Sequence, residues 1–212
     1  MCSSDLAQVL AAHGIKSYVF ESLRPTPELS FAVRHLHTFA GIMVTASHNP
    51  APFNGYKVYG EDGGQMPPAD ADALTDYIRA IENPFTVQLA DLEESKASGL
   101  IEVIGENVDA EYLKEVKGVN INQDLINEYG RDMKIVYTPL HGTGEMLARR
   151  ALAQAGFEAV QVVEAQAVPD PDFSTVKSPN PENQEAFALA EELGRKVDAD
   201  VLVATDPDAD RL

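Results

Sequence analysis

The apolar positions of this 212-residue chain fall into short continuous runs that alternate with longer stretches of helical periodicity. The continuous runs predict buried strands at 15–20, 40–44, 56–59, 100–104, 134–137, 159–163 and 200–204. The periodic stretches predict helices at 5–12, 28–37, 69–81, 110–116, 123–129, 145–155 and 182–197. Strands and helices that alternate at this spacing are typical of an α/β fold with right-handed crossovers and a largely parallel sheet.

The strand–helix alternation stops once and then begins again. A Gly-Glu-Asn segment at 105–107 follows the fourth predicted strand, two helices come next, and a new βαβ pattern begins at 134. We therefore predict two α/β domains, at 1–106 and 107–212. Both ends are abrupt, since the first helix begins almost at Met1 and Leu212 directly follows an acidic motif. We expect the chain to be a fragment of a longer protein.

Composition limits the partners of the chain. It carries 16 Lys and Arg against 34 Asp and Glu, a formal net charge of −18. Nucleic acids and anionic membrane surfaces bind fields of Lys and Arg, so we predict neither as a partner. A small anionic substrate stays compatible, because a bound cation can reverse the potential at one site. No apolar run has transmembrane length, and with Cys2 as the only cysteine no internal disulfide can form, which indicates a cytoplasmic protein.

The first candidate for chemistry is the polar loop 45–50, Thr-Ala-Ser-His-Asn-Pro, which directly follows a predicted strand. Loops at strand ends carry the chemistry of many α/β proteins. Here Ser47 offers a hydroxyl, His48 an imidazole, Asn49 an amide and the nearby Lys57 an ammonium. An ordinary Ser/Asn/Pro turn without chemistry is the alternative.

The second candidate is the acidic loop 205–211, Thr-Asp-Pro-Asp-Ala-Asp-Arg, which follows the last predicted strand. If the loop curves, the carboxylates of Asp206, Asp208 and Asp210 converge, and without a cation they repel one another and raise their pKa values. Oxygen ligands of this kind suit Mg²⁺. The alternatives are a solvated acidic turn and the Asp-x-Asp nucleophile of a haloacid-dehalogenase-like phosphatase.

The two candidate loops complement each other chemically. A serine hydroxyl is a poor nucleophile, but a phosphoserine can donate its phosphoryl group if a cation shields its charge. If the loops meet, a Mg²⁺ held by the three aspartates would supply that cation to a phosphate on Ser47. Lys57 or His48 could then move the proton of the accepting hydroxyl.

Four motifs occur in order along the chain: 41–50 with the serine loop, Asn-Gly-Tyr-Lys at 54–57, Thr-Pro-Leu-His-Gly-Thr-Gly at 138–144, and the acidic loop. Together they resemble the α-D-phosphohexomutases, most closely the bacterial phosphoglucomutase/phosphomannomutase branch. The resemblance covers nearly the whole chain. It implies two three-layer α/β/α domains with mixed, largely parallel sheets, both incomplete here, because the opening segment of domain 1 and the end of domain 2 are missing.

The resemblance also implies a reaction and the residues that perform it. The reaction interconverts hexose 1-phosphate and hexose 6-phosphate, of glucose or mannose, through a phosphoserine and a bisphosphate intermediate, with Mg²⁺ and a glucose 1,6-bisphosphate-type activator. Ser47 is the implied phosphoserine, and its phosphate joins Asp206, Asp208 and Asp210 around the metal. Lys57 matches the family's proton-transfer lysine.

His48 beside the serine and Arg211 after the metal loop also match, and we count them among the catalytic residues. The remaining matches are implied to position the reacting groups or the substrate. They are Asn49 beside the serine, His141 and Gly142 in the third motif, and Arg24, which either holds the Ser47 loop or touches substrate. Lys177 also lies in a family-like stretch, and we interpret it as a surface lysine.

The family's domains 3 and 4, which read the sugar and grip the second phosphate, have no counterpart in the chain. We therefore keep a second hypothesis beside the mutase, in which this chain alone is a catalytically inactive fragment or a phosphosugar-binding module.

Overall fold

The computed structural model describes residues 2–212. Its eight α-helices within that range are α1 Cys2–Ala12, α2 Thr26–His35, α3 Pro68–Arg79, α4 Leu92–Ala97, α5 Glu106–Gly118, α6 Gln123–Tyr129, α7 Glu145–Ala155 and α8 Ala188–Val197. Its seven strands are β1 Ser17–Phe20, β2 Ala40–Val44, β3 Tyr56–Gly60, β4 Ile101–Ile104, β5 Ile135–Thr138, β6 Val160–Val162 and β7 Val201–Ala204. Short 3₁₀ turns occupy Pro84–Thr86, Glu164–Gln166 and Gln184–Phe187.

The first half of the chain holds two strand pairs. Strands β1 and β4 are parallel, while β2 and β3 form an antiparallel hairpin in which Met43 is paired with Lys57. The hairpin therefore brings the residues after β2 and those at the start of β3 to the same end. Helix α2 packs on this hairpin, and a cluster of Ala32, Ile104 and Val108 joins α2 to β4 and α5.

The second half holds one parallel sheet in the order β6–β5–β7. The central strand β5 is buried along its whole length, as expected for a run of Ile, Val and Tyr between two neighbours. Its last residue, Thr138, is paired with Ala204 at the end of β7. Because the two strands are parallel, the loops that follow them leave the same edge of the sheet.

The α/β architecture predicted from the chain is confirmed, and the antiparallel hairpin β2–β3 fits the mixed sheets that were expected. Several helix limits differ from the prediction: α2 begins at Thr26, α5 begins at Glu106, and α4 was not predicted. Helix α1 begins earlier than predicted, at Cys2. The helix expected from 182 begins only at 188, after a 3₁₀ turn, because the side chain and the carbonyl of Asn180 accept the N–H groups of Glu182 and Asn183 and close a local turn in place of the first helical turn.

The division of the chain at 106 stays a prediction. Helix α5 begins at that residue and contacts both α2 in the first half and α7 in the second. Across residues 2–212, none of the helices is both long and apolar enough to cross a membrane.

Candidate active site

Three loops and the first turn of α2 meet at one place. The loops follow β2, β5 and β7, which end at Val44, Thr138 and Ala204. The Ser47 loop is closed at its base by a hydrogen bond from the Thr45 N–H to the Gly55 carbonyl, and a Cβ at Gly55 would collide with the Thr45 carbonyl oxygen. The hairpin therefore requires glycine there.

Ser47 lies directly against the acidic loop, as expected if the two candidate loops meet. Its Oγ donates a hydrogen bond to Asp206 Oδ2 at 3.0 Å, across 159 positions of sequence. The backbone at Ser47 is left-handed, with φ 51°, and its N–H donates to Thr45 Oγ1 at 2.8 Å. This turn directs a half-buried hydroxyl out of the hairpin and towards the end of β7.

The three aspartates of the acidic loop converge. One carboxylate oxygen from each of Asp206, Asp208 and Asp210 lies within 4.8 Å of the others. Asp206 and Asp208 are buried, and Asp210 is exposed. Asp206 Oδ1 accepts the backbone N–H groups of Asp210 and Arg211, both at 3.1 Å, which curls the loop around it.

The charges in this loop are only partly compensated. Burial, with the neighbouring Asp208, raises the pKa of Asp206 to about 6. Burial also opposes ionisation of Asp208, but the hydrogen bond from Lys57, with further contributions from Asp206 and Thr26, outweighs burial and lowers the pKa of that carboxyl. Asp208 Oδ1 is buried and has no hydrogen-bond partner among residues 2–212. A buried carboxylate oxygen is costly to leave unsatisfied and is well suited to bind a cation.

Lys57 reaches the same carboxylates from the start of β3. Its Nζ donates to Asp208 Oδ2 at 2.9 Å and to Asp210 Oδ2 at 3.1 Å. Burial works against the ammonium form, but the two hydrogen bonds outweigh burial and raise the pKa of the amine. Lys57 thus carries positive charge into the site.

The other residues predicted around Ser47 lie at varying distances from it. His48 Nδ1 is 3.2 Å from Ser47 Oγ. Asn49 is exposed, and its backbone N–H closes the turn on Ala46. The guanidinium of Arg211 pairs with Glu182 at 3.1 Å.

The loop after β5 packs against the backbone of the acidic loop at Pro207. A Cβ at Gly142 would overlap Pro207 Cα and lie 2.6 Å from the Pro207 carbonyl oxygen, so only glycine allows this approach. Thr143 donates to that same carbonyl from its N–H at 2.7 Å and from its Oγ1 at 3.1 Å. We expected Gly142 near the active site, and its contacts are with the backbone of the acidic loop.

His141 makes different contacts from its neighbour. It is buried, with Nδ1 2.9 Å from the Val168 carbonyl and Nε2 2.7 Å from Thr175 Oγ1. Both ring nitrogens therefore hold the segment that follows β6. Lys177, further along that segment, is exposed.

Arg24 is buried in an ionic cluster. Its Nε and Nη2 donate to the two carboxylate oxygens of Asp109 at 2.7 and 2.8 Å, and only 5% of its surface is exposed. These contacts favour a positioning role for Arg24 over contact with substrate. Its hydrogen bonds run to the α5 carboxylate and to residues 21–23, so they do not hold the Ser47 loop directly.

Sequence reasoning missed Thr26, which lies two residues beyond Arg24. Its N–H donates to the Asp208 carbonyl at 2.8 Å and its Oγ1 donates to Asp208 Oδ2 at 3.0 Å. The signal that could have revealed it is its place between Pro25 and Pro27, which fixes the backbone on both sides.

The donor set fits a hard divalent cation. It consists of carboxylate oxygens alone, one of them buried and without a partner among the described residues. Asp206, Asp208 and Asp210 would hold the ion, and Lys57 would have to share or give up its two carboxylate contacts.

The chain matches two models of one protein family. Residues 1–85 match phosphoglucomutase/phosphomannomutase alpha/beta/alpha domain I, and residues 110–212 match domain II of the same family. A phosphoglucomutase of Staphylococcus saprophyticus is 41% identical over 99% of this chain, and one of Staphylococcus epidermidis is 43% identical over 98%. The chain spans 37% of the length of each of these relatives.

Two solved structures have a similar fold. One is a Thermus thermophilus protein named provisionally as a phosphomannomutase. It shares 28% sequence identity with this chain at a TM-score of 0.77, and the match covers 98% of this chain and 43% of the other chain. The other is a phosphoglucomutase/phosphomannomutase family protein of Burkholderia thailandensis, with 18% identity and a TM-score of 0.63 over 98% of this chain and 48% of its own. This chain belongs to the phosphoglucomutase/phosphomannomutase family, and membership of that family implies a metal cofactor.

Proposed function

We propose that this chain carries the phosphoryl-transfer site of a mutase that interconverts glucose or mannose 1-phosphate and 6-phosphate. The observation that carries the proposal is the hydrogen bond from Ser47 Oγ to Asp206, within a cluster of three converging aspartates. This geometry joins a phosphorylatable hydroxyl to a cation site. In the dehalogenase-like phosphatase alternative, the phosphate would instead be carried by Asp206.

In the proposed cycle, Ser47 is the phosphoryl carrier. The bond between phosphorus and Ser47 Oγ breaks while a free hydroxyl of the sugar monophosphate forms a new bond to phosphorus and loses its proton. The product is a hexose bisphosphate, and the return of its other phosphate to Ser47 completes the isomerisation. Mg²⁺ bound to Asp206, Asp208 and Asp210 would shield the phosphoryl oxygens from an incoming hydroxyl. A glucose 1,6-bisphosphate-type activator would phosphorylate Ser47 at the outset.

Two side chains lie where they can move the proton of the accepting hydroxyl. His48 Nδ1 is 3.2 Å from Ser47 Oγ, and Lys57 Nζ contacts two aspartates of the same cluster. General acid–base help of this kind contributes roughly 10²- to 10⁴-fold. We propose His48 and Lys57 for this role. Lys57 would act as a base only after a bound cation has taken over its two carboxylate contacts, because these contacts raise the pKa of the amine. We propose Asn49 and Arg211 for positioning at the mouth of the site.

The test uses the full-length product of the gene. It is assayed with glucose 1-phosphate and mannose 1-phosphate in the presence of Mg²⁺ and glucose 1,6-bisphosphate, and phosphate on Ser47 is located by mass spectrometry. We expect Ser47→Ala to remove both the phosphate and at least about 10³-fold of kcat, as for loss of a nucleophile. Ser98→Ala, at an exposed serine ending α4, is the matched control and should change neither.

Full activity in Ser47→Ala would contradict the proposal, as would phosphate found on Asp206. The 212-residue chain needs a separate assay, because it spans about a third of the length of its relatives. If it retains Ser47 phosphate and binds sugar phosphate without turnover, the isolated chain is the binding module of the second hypothesis. Turnover by the isolated chain would exclude that hypothesis.

A further inference from the structure

The first turn of α2 touches the acidic loop through one residue. Thr26 opens the helix, and Pro25 before it offers no side chain to cap the free N–H groups of that turn. The N–H of Thr26 is satisfied instead by the Asp208 carbonyl, at 2.8 Å. A contact across 182 positions of sequence thus replaces a local cap.

The side chain of Thr26 acts on the same aspartate. Its Oγ1 donates to Asp208 Oδ2 at 3.0 Å, and both residues are at most 3% exposed. Lys57 Nζ donates to that oxygen as well, at 2.9 Å. With Oδ2 held by two donors, the carboxylate of Asp208 cannot rotate freely, and Oδ1 is left as the buried atom without a hydrogen-bond partner in the described chain.

The backbone around Thr26 is restrained on both sides. Prolines on both sides restrict its backbone, and Arg24, two residues towards the N-terminus, is fixed by two hydrogen bonds to Asp109 on α5. Position 26 is therefore restrained by the contact of the preceding segment with α5, in addition to its own contacts with the acidic loop.

We infer that Thr26 is a positioning residue for the cation site, which orients Asp208 so that Oδ1 is presented to the metal. The inference rests on the proposed metal-dependent function. Hydrogen-bond partners of metal-binding carboxylates typically contribute 10- to 100-fold to metal affinity or activity. Thr26 has this relation to Asp208, whereas it touches neither Ser47 nor the other two aspartates in the described contacts.

The test measures Mn²⁺ binding to the full-length protein by electron paramagnetic resonance of the free ion, since Mn²⁺ takes the same oxygen ligands as Mg²⁺. We expect Thr26→Val, which removes the hydroxyl at nearly equal volume, to raise the Kd for Mn²⁺ roughly 10- to 100-fold. Thr26→Ser, which keeps the hydroxyl, should restore it. Thr75→Val, at a half-buried threonine of α3 bonded to Ala71, should leave the Kd unchanged.

The Asp208→Asn variant distinguishes failure of the proposed metal site from failure of the proposed role of Thr26. If this variant binds Mn²⁺ as tightly as wild type, the proposed metal site itself is wrong. If it loses binding while Thr26→Val keeps the wild-type Kd, only the role of Thr26 is overturned. A Thr26→Ser variant that remains as weak as Thr26→Val would also contradict the inference.

A measurement on the wild type covers the case in which Thr26→Val does not fold. Prolines have no amide proton, so in residues 25–27 only the Thr26 amide exchanges with solvent. Because that amide is bonded to Asp208, saturating Mg²⁺ should slow its hydrogen exchange, and the effect should vanish in Asp208→Asn. An exchange rate that Mg²⁺ leaves unchanged would overturn the inference.

Discussion

Gly142 shows how one residue can determine the approach of two loops. A Cβ at this position would overlap Pro207 and crowd the Pro139 carbonyl oxygen at 2.8 Å, so an alanine must displace backbone on the acidic loop. We predict that Gly142→Ala lowers the free energy of unfolding by at least about 2 kcal/mol, the range of overpacking in a rigid surrounding. Urea denaturation followed by circular dichroism measures the loss.

Gly118→Ala is the matched control for that prediction. Gly118 ends α5, and nothing lies within 4 Å of the Cβ that an alanine would add. There the substitution should be neutral or stabilising by up to about 1 kcal/mol, because alanine is the better helix former. Equal losses at both positions would show that the contact of Gly142 with Pro207 has no special importance.

Glu28 introduces a pH dependence into the stability of the chain. Its carboxyl is fully buried in α2, 3.8 Å from Arg24 and beside Asp109 and Tyr112, with Arg150 also near. Burial, reinforced by the charge of Asp109, raises the pKa of Glu28 to about 8. The folded state therefore keeps a proton that the unfolded state has lost above its ordinary pKa of about 4.3.

The sign of the effect follows from that difference in proton binding. Between about pH 4.5 and 8 the folded state binds more protons at Glu28, so stability is greatest at the acid end and falls as pH rises, by up to about 1.4 kcal/mol per pH unit. We predict that Glu28→Gln flattens this part of a plot of unfolding free energy against pH. Asp109, with its lowered pKa, affects stability only at more acid pH. An unchanged slope in the variant would show that Glu28 ionises freely.

At the scale of elements, regular periodicity predicted the limits of several elements correctly. The limits of β2, α6 and α7 match the prediction to the residue, since Gly or Asn bounds both helices and the polar Thr45 ends the strand. Helix α2 begins two residues earlier than predicted. Pro27 argued for a loop, whereas proline is tolerated in the first helical turn.

The candidate site was predictable in part for the same physical reason. Parallel strands end at one edge of a sheet, so the meeting of the loops after β5 and β7 follows from the fold class. The bonds from Thr26 to Asp208 and from Arg24 to Asp109 join residues 182 and 85 positions apart. They depend on how α2 and α5 pack, and no local pattern in the chain encodes that packing.

The segment after β6 is held to the sheet by His141. With φ 63°, the residue needs a side chain that tolerates left-handed backbone, and Asn does so while being too short to make both bonds. We predict that His141→Asn lowers the free energy of unfolding by about 1–3 kcal/mol, through one or two lost buried hydrogen bonds. It should also accelerate hydrogen exchange at 166–176 but not in β7.

His13→Asn is the control, because His13 is exposed in the turn after α1. Exchange that accelerates equally in β7 would mean that the variant loosens the whole sheet. In that case the role of His141 in holding one segment would be wrong.

At the scale of the whole molecule, the two halves are joined at the site by charge. Lys57 in the hairpin contacts Asp208 and Asp210 at the other end of the chain, and its side chain is 20% exposed. Without a metal ion, this ammonium offsets the negative charge of the converging carboxylates. A bound Mg²⁺ would compete with it for the same oxygens, so Lys57 and the cation are partly interchangeable as sources of positive charge.

We therefore predict opposite effects of Lys57→Gln in the absence and presence of Mg²⁺. In chelator, the variant should be less stable by roughly 1–2 kcal/mol, because a partly buried ion pair is broken and one side is left behind. Mg²⁺ should then stabilise the variant more than the wild type, since stabilisation grows as RT ln(1 + [Mg²⁺]/Kd) and the variant has lost a competitor. Urea unfolding with and without Mg²⁺ measures the stabilisation by Mg²⁺ in the variant and in the wild type. Lys114→Gln, which removes an exposed ion pair on α5, is the control. A larger Mg²⁺ increment in the wild type would contradict the prediction and would mean that Lys57 and the cation bind the aspartates together.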